Sequence, residues 1–388
     1  MDLFITSNDP LVFRDGRPFG DAGHVNGGSL RWPWPSTISG VLRCKVGEKR
    51  KPDFFNGEQR NANIAEIRQI HCRTLPLWCE RDKNVWQPLF PAPADALIMP
   101  GAGEHELRVL PFTYTPANRN GGTDLLWERW MLPETMETGK PARNPPALWF
   151  QKSYFTWLQY GAFPSSTLIA NQLGLSLPTL EMRMHTAIDQ ITATASTGRL
   201  FSSQGIRMAT GTRNDQQRAG IFSIGVQAEN LKPGDKPIGP CPLGGERKVA
   251  FINEGDNLFP PCPEWFDNKS FLRLILAAPG KFGAWAPEWL LPENGPSFKS
   301  VPGLSVKVRL RGAHIPRWAA ISGWDMENNR PKAFSKLVPA GSVYLLELEE
   351  PNASGEFARY LWGKSINNDP DGFGLTYIGN LDLTGEQA

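Results

Sequence analysis

Between Leu304 and Arg311 the chain alternates almost without fault. Leu304, Val306, Val308 and Leu310 point one way, and Ser305, Lys307, Arg309 and Arg311 point the other. A period of two is the signature of an extended strand with one face buried, so the chain must build at least one sheet with a core behind it. Its cationic outer row, Lys307, Arg309 and Arg311, suits a surface that follows phosphates, or an edge strand kept from aggregating by charge. Further strand-like runs lie at 2–6, 11–13, 184–188, 221–227 and 271–277, with a turn and strand over 338–348. Helical spacing appears over 36–47, through Ile38, Val41 and Leu42, and over 152–160. Helices dispersed among strands predict an α+β fold. The 35 prolines and 38 glycines keep the elements short and the loops many, and 388 residues imply two or three domains.

A net charge of +2 means that any affinity for nucleic acid must come from local basic surfaces. The five cysteines are odd in number and irregular in spacing, and the N-terminus lacks the basic and apolar regions of a signal peptide, which predicts a reducing cytoplasm. The most apolar run, 271–278, is interrupted by Arg273 and is too short for a bilayer, so no membrane role is expected. No C-x-x-C, H-E-x-x-H, G-x-S-x-G or Walker-type motif occurs, so neither metal nor cofactor is expected. The histidines are scattered singly, with His24 the first general acid or base to consider.

The richest stretch for function runs from Asp9 to Arg43. Arg14, Asp15 and Arg17 occupy a polar loop, and Pro33 and Pro35 then deliver the chain to a helix expected to start at Ser36. The first amides of a helix lack partners and its dipole is positive there, so Ser36 and Thr37 invite a phosphate or carboxylate. Arg43 returns to the same helix face as a third cation, and Lys45, Lys49, Arg50 and Lys51 follow. The plain alternative is that Ser36 only caps the helix and the arginines pair internally. The segment 154–160, with Tyr154, Phe155, Trp157 and Tyr160, is too aromatic to lie bare and predicts a partner surface. Residues 205–220, with Arg207, Arg213 and Arg218, suggest an extended hairpin tip. Gly372, Gly374 and Gly379 leave backbone amides open to a phosphate.

Eight short motifs in order then carry a resemblance. They are DPLVFRDGRPF (9–19), PSTISGVLR (35–43), TASTGRLFS (194–202), LGGER (243–247), LILAAP (274–279), ISGWD (321–325), VPAGSVY (338–344) and GFGLTYIG (372–379). Together they resemble the third-subunit family of the Cmr effector complex of type III-B CRISPR systems, within the RAMP superfamily. The resemblance implies two ferredoxin-like (RRM-like) modules facing each other, over 1–228 and 229–388, with an insertion at about 52–147. It implies a non-catalytic subunit that holds the 5′ tag of the CRISPR RNA. The implied protein partners are the large polymerase-palm subunit and the backbone RAMP subunits, and target RNA would lie close by at its 3′ flank. The expected RNA contacts are Arg14, Arg17, Arg43, Lys45, Arg199, Arg207, Lys307, Arg309 and Arg311 for phosphates. The amides at Ser36, Thr37, Gly372 and Gly374 join them, while Phe19, Trp32 and Trp34 stack on unpaired bases.

Two other classes compete. A metal-independent ribonuclease of the same superfamily would use His24 or His185 as base. A tryptophan-rich glycan-binding or glycan-cleaving protein would need a carboxylate pair, and the missing export signal opposes it.

Overall fold

The computed structural model describes residues 1–14, 26–116, 131–210, 218–292, 296–325 and 328–382. It is a mixed α+β protein, rich in sheet and poor in helix. Contacts divide the chain into two compact units that interleave in sequence: unit one is Met1–Gln87, Leu177–Leu258 and Ala320–Phe334, and unit two is Pro88–Ser176, Phe259–Ala319 and Ser335–Ala388. The division expected after residue 228 falls inside one strand, Gly220–Glu229.

Unit one is built on an antiparallel path of His71–Glu80, Gly220–Glu229, Asp2–Thr6, Val249–Gly255 and Gly239–Pro242. Ile5 pairs with Ile224 on one side and Ile252 on the other, which sets three apolar side chains abreast on the buried face. The helix Pro35–Arg50 buries Ile38, Leu42 and Val46, a stripe at steps of four, and starts with proline at a position whose N–H would be orphaned anyway. Part of the stretch expected as insertion is thus core: His71–Glu80 pairs with Gly220–Glu229 along its whole length.

The basic end of that helix is tied down within the same unit. Arg50 donates from Nε and Nη2 to Asp235, at 2.9 and 2.6 Å, and from Nη1 to Glu66 at 2.5 Å. The Asp235 side chain is 7% exposed, and its hydrogen bonds to Arg50 hold its carboxyl below the ordinary aspartate range. Asp235→Asn is therefore expected to cost about 1.5–3 kcal/mol near neutral pH, measured by urea unfolding. Because the folded-state pKa is depressed, this stability is present above the unfolded value and is lost as pH falls through the folded one. The two proteins should converge in stability below about pH 4.

Unit two carries a six-stranded antiparallel sheet in the order Lys299–Ser300, Lys307–His314, Val343–Leu348, Phe271–Leu276, Leu375–Asn380 and Lys364–Ser365. The helix Gln151–Tyr160 lies on Leu375–Asn380. It buries Tyr154, Trp157 and Leu158, spaced so that all three share one face. Phe90 stacks flat on Tyr154 at 4.4 Å and meets Tyr377 edge-on at 5.0 Å. The aromatic run expected to await a partner is corrected here: it is the unit's own core, and only Tyr160 stands well exposed.

Candidate nucleic-acid interface

Three consecutive residues near the N-terminus are each pinned to a different part of unit one. Leu11 exchanges backbone hydrogen bonds with Ile206, at 3.0 and 2.7 Å, Val12 accepts from the Gly245 amide at 2.7 Å, and Phe13 accepts from the Leu30 amide at 2.7 Å. Phe13 N–H also donates to Ser29 Oγ at 3.0 Å. Asn26–Gly27 then runs parallel to Ser202 and Ser203 of the strand Ala195–Ile206. Leu11, Val12 and Phe13 are buried, so this junction is rigid where it is apolar and offers its charged neighbours outward.

Those neighbours are arginines. Arg14 follows Phe13, Arg31 follows Leu30, Arg207 follows Ile206, and Arg247 lies two residues past Gly245; all four are exposed. Arg199, also exposed, sits farther back on Ala195–Ile206. Segments nearly 200 residues apart in sequence thereby meet at residues 11–13, each bearing an exposed arginine nearby, and exposed cations on adjoining segments are a means of neutralising a run of phosphates. The loop carrying Arg247 is held in a costly backbone conformation: Gly244, Glu246 and Arg247 have φ of +78°, +56° and +51°. Two non-glycine residues in the left-handed region mark a loop shaped for a contact rather than for stability.

Beside this cluster, Trp34 precedes the helix Pro35–Arg50 and no side chain caps it. Ser36 does not start the helix, as expected, but lies within its first turn, where its carbonyl accepts from Ser39 Oγ at 3.3 Å. The Thr37 amide bonds to Trp34 O at 3.0 Å. Trp32 and Trp34 are half-buried, and Trp32 meets Phe222 edge-on at 6.3 Å. Each keeps part of its surface open, within three residues of Arg31 along the chain.

Other expected contacts are employed elsewhere. Arg43 donates to Ile70 O from Nε and Nη2, at 3.2 and 2.8 Å, and Lys45 donates to Pro240 O at 2.7 Å. Both brace the helix against unit one, because long cationic side chains at its far end reach carbonyls of the neighbouring loops. Arg218 is bonded to Glu80 at 3.1 and 2.6 Å and lies over the Trp78 ring. In unit two, Glu347 holds both Arg309 and Arg311 at 2.6 Å, and Glu349 holds Lys307 at 2.9 Å. The strand Lys307–His314 is covered on its outer side only at Lys307 and Val308, and its cationic row is largely neutralised by the strand Val343–Leu348 and Glu349 just after it.

Gly372 and Gly374 are also corrected. Both are buried with positive φ, the Gly372 amide donates to Asp369 O at 3.0 Å, and that of Gly374 donates to Pro279 O at 2.7 Å. Burial pushes the Asp369 carboxyl up, with help from the charge of Asp371, so this turn is acidic as well as closed. Arg17, Phe19, His24 and Arg213 lie outside the described residues.

His185 stacks on Phe201 at 5.0 Å and shares a hydrogen bond of 2.8 Å with Ser203 Oγ. Among the described residues no group of three or more His, Cys, Asp or Glu side chains could hold a metal ion, and no helix is long and apolar enough to cross a membrane. Arg31 and Arg247 were not singled out from the sequence, although both lie in stretches that were: Arg31 precedes Trp32, and Arg247 closes LGGER.

No curated protein matches the sequence. Among solved structures, a chain of the type III-B Cmr-beta complex bound to cognate target RNA and AMPPnP is 16% identical with a TM-score of 0.44, over 89% of this chain and 86% of that one. A chain of the same complex bound to cognate target RNA is 15% identical, with the same TM-score and coverage. A chain of the Csm3-Csm4 subcomplex of a type III-A system is 11% identical with a TM-score of 0.34, over 90% of this chain and 94% of that one. A family model described as CRISPR-associated protein (Cas_Cmr3) matches residues 3–381. With the eight motifs in order across that same span, the chain belongs to the CRISPR-associated Cas_Cmr3 family.

Proposed function

We propose that the chain is a non-catalytic RNA-binding subunit of a type III-B CRISPR effector complex, active in the cytoplasm in antiviral defence. In this reading it grips the 5′ tag of the CRISPR RNA and links the large polymerase-palm subunit to the backbone filament, and each unit is a ferredoxin-like module. The observation that carries it is that backbone hydrogen bonds of residues 11–13 gather the segments bearing the exposed Arg31, Arg207 and Arg247 next to the one bearing Arg14. Phosphates of an unpaired tag lie against these guanidiniums, and the partly open rings of Trp32 and Trp34 take bases by stacking.

The test is a binding titration with a tag oligonucleotide. Arg14→Ala, Arg207→Ala and Arg247→Ala combined should weaken binding at least about tenfold at 0.1 M salt, and flatten the slope of log affinity against log salt by about 2, some 0.7 per phosphate contact. All three side chains are exposed, so any loss of stability should stay under about 1 kcal/mol. Unchanged affinity and slope would defeat the assignment. Incubation with repeat RNA in EDTA addresses catalysis: no specific cleavage is expected, and cleavage abolished by His185→Ala would replace this reading with a ribonuclease.

A further inference from the structure

Unit one has a second surface, of opposite character. A cleft of about 840 Å³ opens beside the turn that ends His71–Glu80, with Phe4, Val85, Trp86, Ile221 and Leu258 in its walls. The Phe4 and Trp86 rings lie 5.1 Å apart, while Val85 is 63% exposed and Ile221 48%. The apolar surface continues past the cleft. Phe4 pairs with Asn253 and Thr6 with Phe251, so Phe251 and Val249 share the sheet face of Phe4, and both are more than 40% exposed. Apolar side chains clustered in this way, beside a formed cleft, mark a docking surface rather than a random scatter.

The rim decides what docks. Glu80, Asp82, Glu254 and Asp256 line the cleft against Arg81 and Lys83. Glu80 already engages Lys83 and Arg218, each at 2.6 Å. Asp82, Glu254 and Asp256 are exposed around the apolar floor, and among the described lining residues only Arg81 is left to oppose them. That field repels a phosphate backbone and attracts cations. One unit thus carries an arginine cluster suited to RNA and an acid-rimmed apolar cleft unsuited to it.

We propose that this cleft docks a protein segment in which an aromatic or branched apolar side chain is flanked by lysine or arginine, supplied by a neighbouring subunit. The anchor enters between Trp86, Val85 and Ile221, and its basic flanks meet Asp82, Glu254 and Asp256. The inference rests on the chain working inside a multi-subunit complex and not on its binding the tag.

The test places the photo-crosslinker p-benzoylphenylalanine at position 85 of the full chain and activates it in the complex assembled with its companion subunits. The expected product is a crosslink to a protein segment rich in lysine and arginine. Asp82→Lys, Glu254→Lys and Asp256→Lys combined should reduce retention of that subunit about tenfold or more, with tag-RNA affinity of the isolated chain no weaker than before. A crosslink to RNA or to an acidic segment, no crosslink, or normal retention after charge reversal overturns the proposal. Failure of the tag assignment reads out separately, as an arginine triple variant with normal RNA affinity while the crosslink persists.

Discussion

Arg273→Leu is expected to destabilise unit two by about 3–5 kcal/mol, read as a fall in its urea midpoint. Arg273 sits in the middle of the strand Phe271–Leu276 and is 2% exposed. Its Nη1 donates to Asp95 Oδ2 at 2.8 Å, its Nε to Asn380 O at 2.9 Å and its Nη2 to Trp157 O at 2.5 Å. Asp95 Oδ1 in turn accepts from Trp157 Nε1 at 3.0 Å. Leucine fits the apolar strand but leaves the buried Asp95 carboxylate without its counter-charge and takes the Nε donor from Asn380 O, and a lone buried charge is penalised far more than a pair is rewarded. Adding Asp95→Asn should recover part of the loss, because the two residues form one network. Arg309→Leu, in the same unit but on a partly exposed pair with Glu347, should cost under about 1 kcal/mol. Equal losses from Arg273→Leu and Arg309→Leu would contradict this account.

Gly244→Ala is expected to lower tag-RNA affinity severalfold through the loop that carries Arg247. Gly244 has φ of +78°, and a Cβ there would lie 2.4 Å from Val12 O, the same oxygen that accepts the Gly245 amide. The left-handed backbone alone costs alanine about 1–2 kcal/mol, and the clash is with main chain, which cannot swing aside. The least costly escape opens the bond between Gly245 and Val12 and frees the loop from the opening stretch. Gly245→Ala is the matched control, since a Cβ there meets Val12 Cγ1 at 3.5 Å, an ordinary contact. Both variants should be titrated with the tag oligonucleotide. Parallel behaviour of the two would mean that the loop does not position Arg247.

Much of this was open to a reader of the sequence. The alternation over 304–311 marks the strand Lys307–His314, which starts three residues later than the pattern does, and the helix beginning near Ser36 declares its buried stripe through Ile38 and Leu42. The family follows from motifs that need only their order. Arg273, by contrast, appeared only as a break in an apolar run, and nothing near it in sequence announced Asp95, 178 residues away.

The periodic, local properties of this protein, its strands, its helices and its family, were determined by sequence alone, because side-chain spacing along an element is a property of neighbours. Which cations face outward was decided by the tertiary structure. Arg43, Lys45, Arg309 and Arg311 have the same chemistry as Arg207 and Arg247, yet a carbonyl or carboxylate from a distant segment lies within reach of each of the first four. A long flexible cation takes whatever acceptor the topology brings within about 3 Å, and only the assembled sheets establish which acceptors those are.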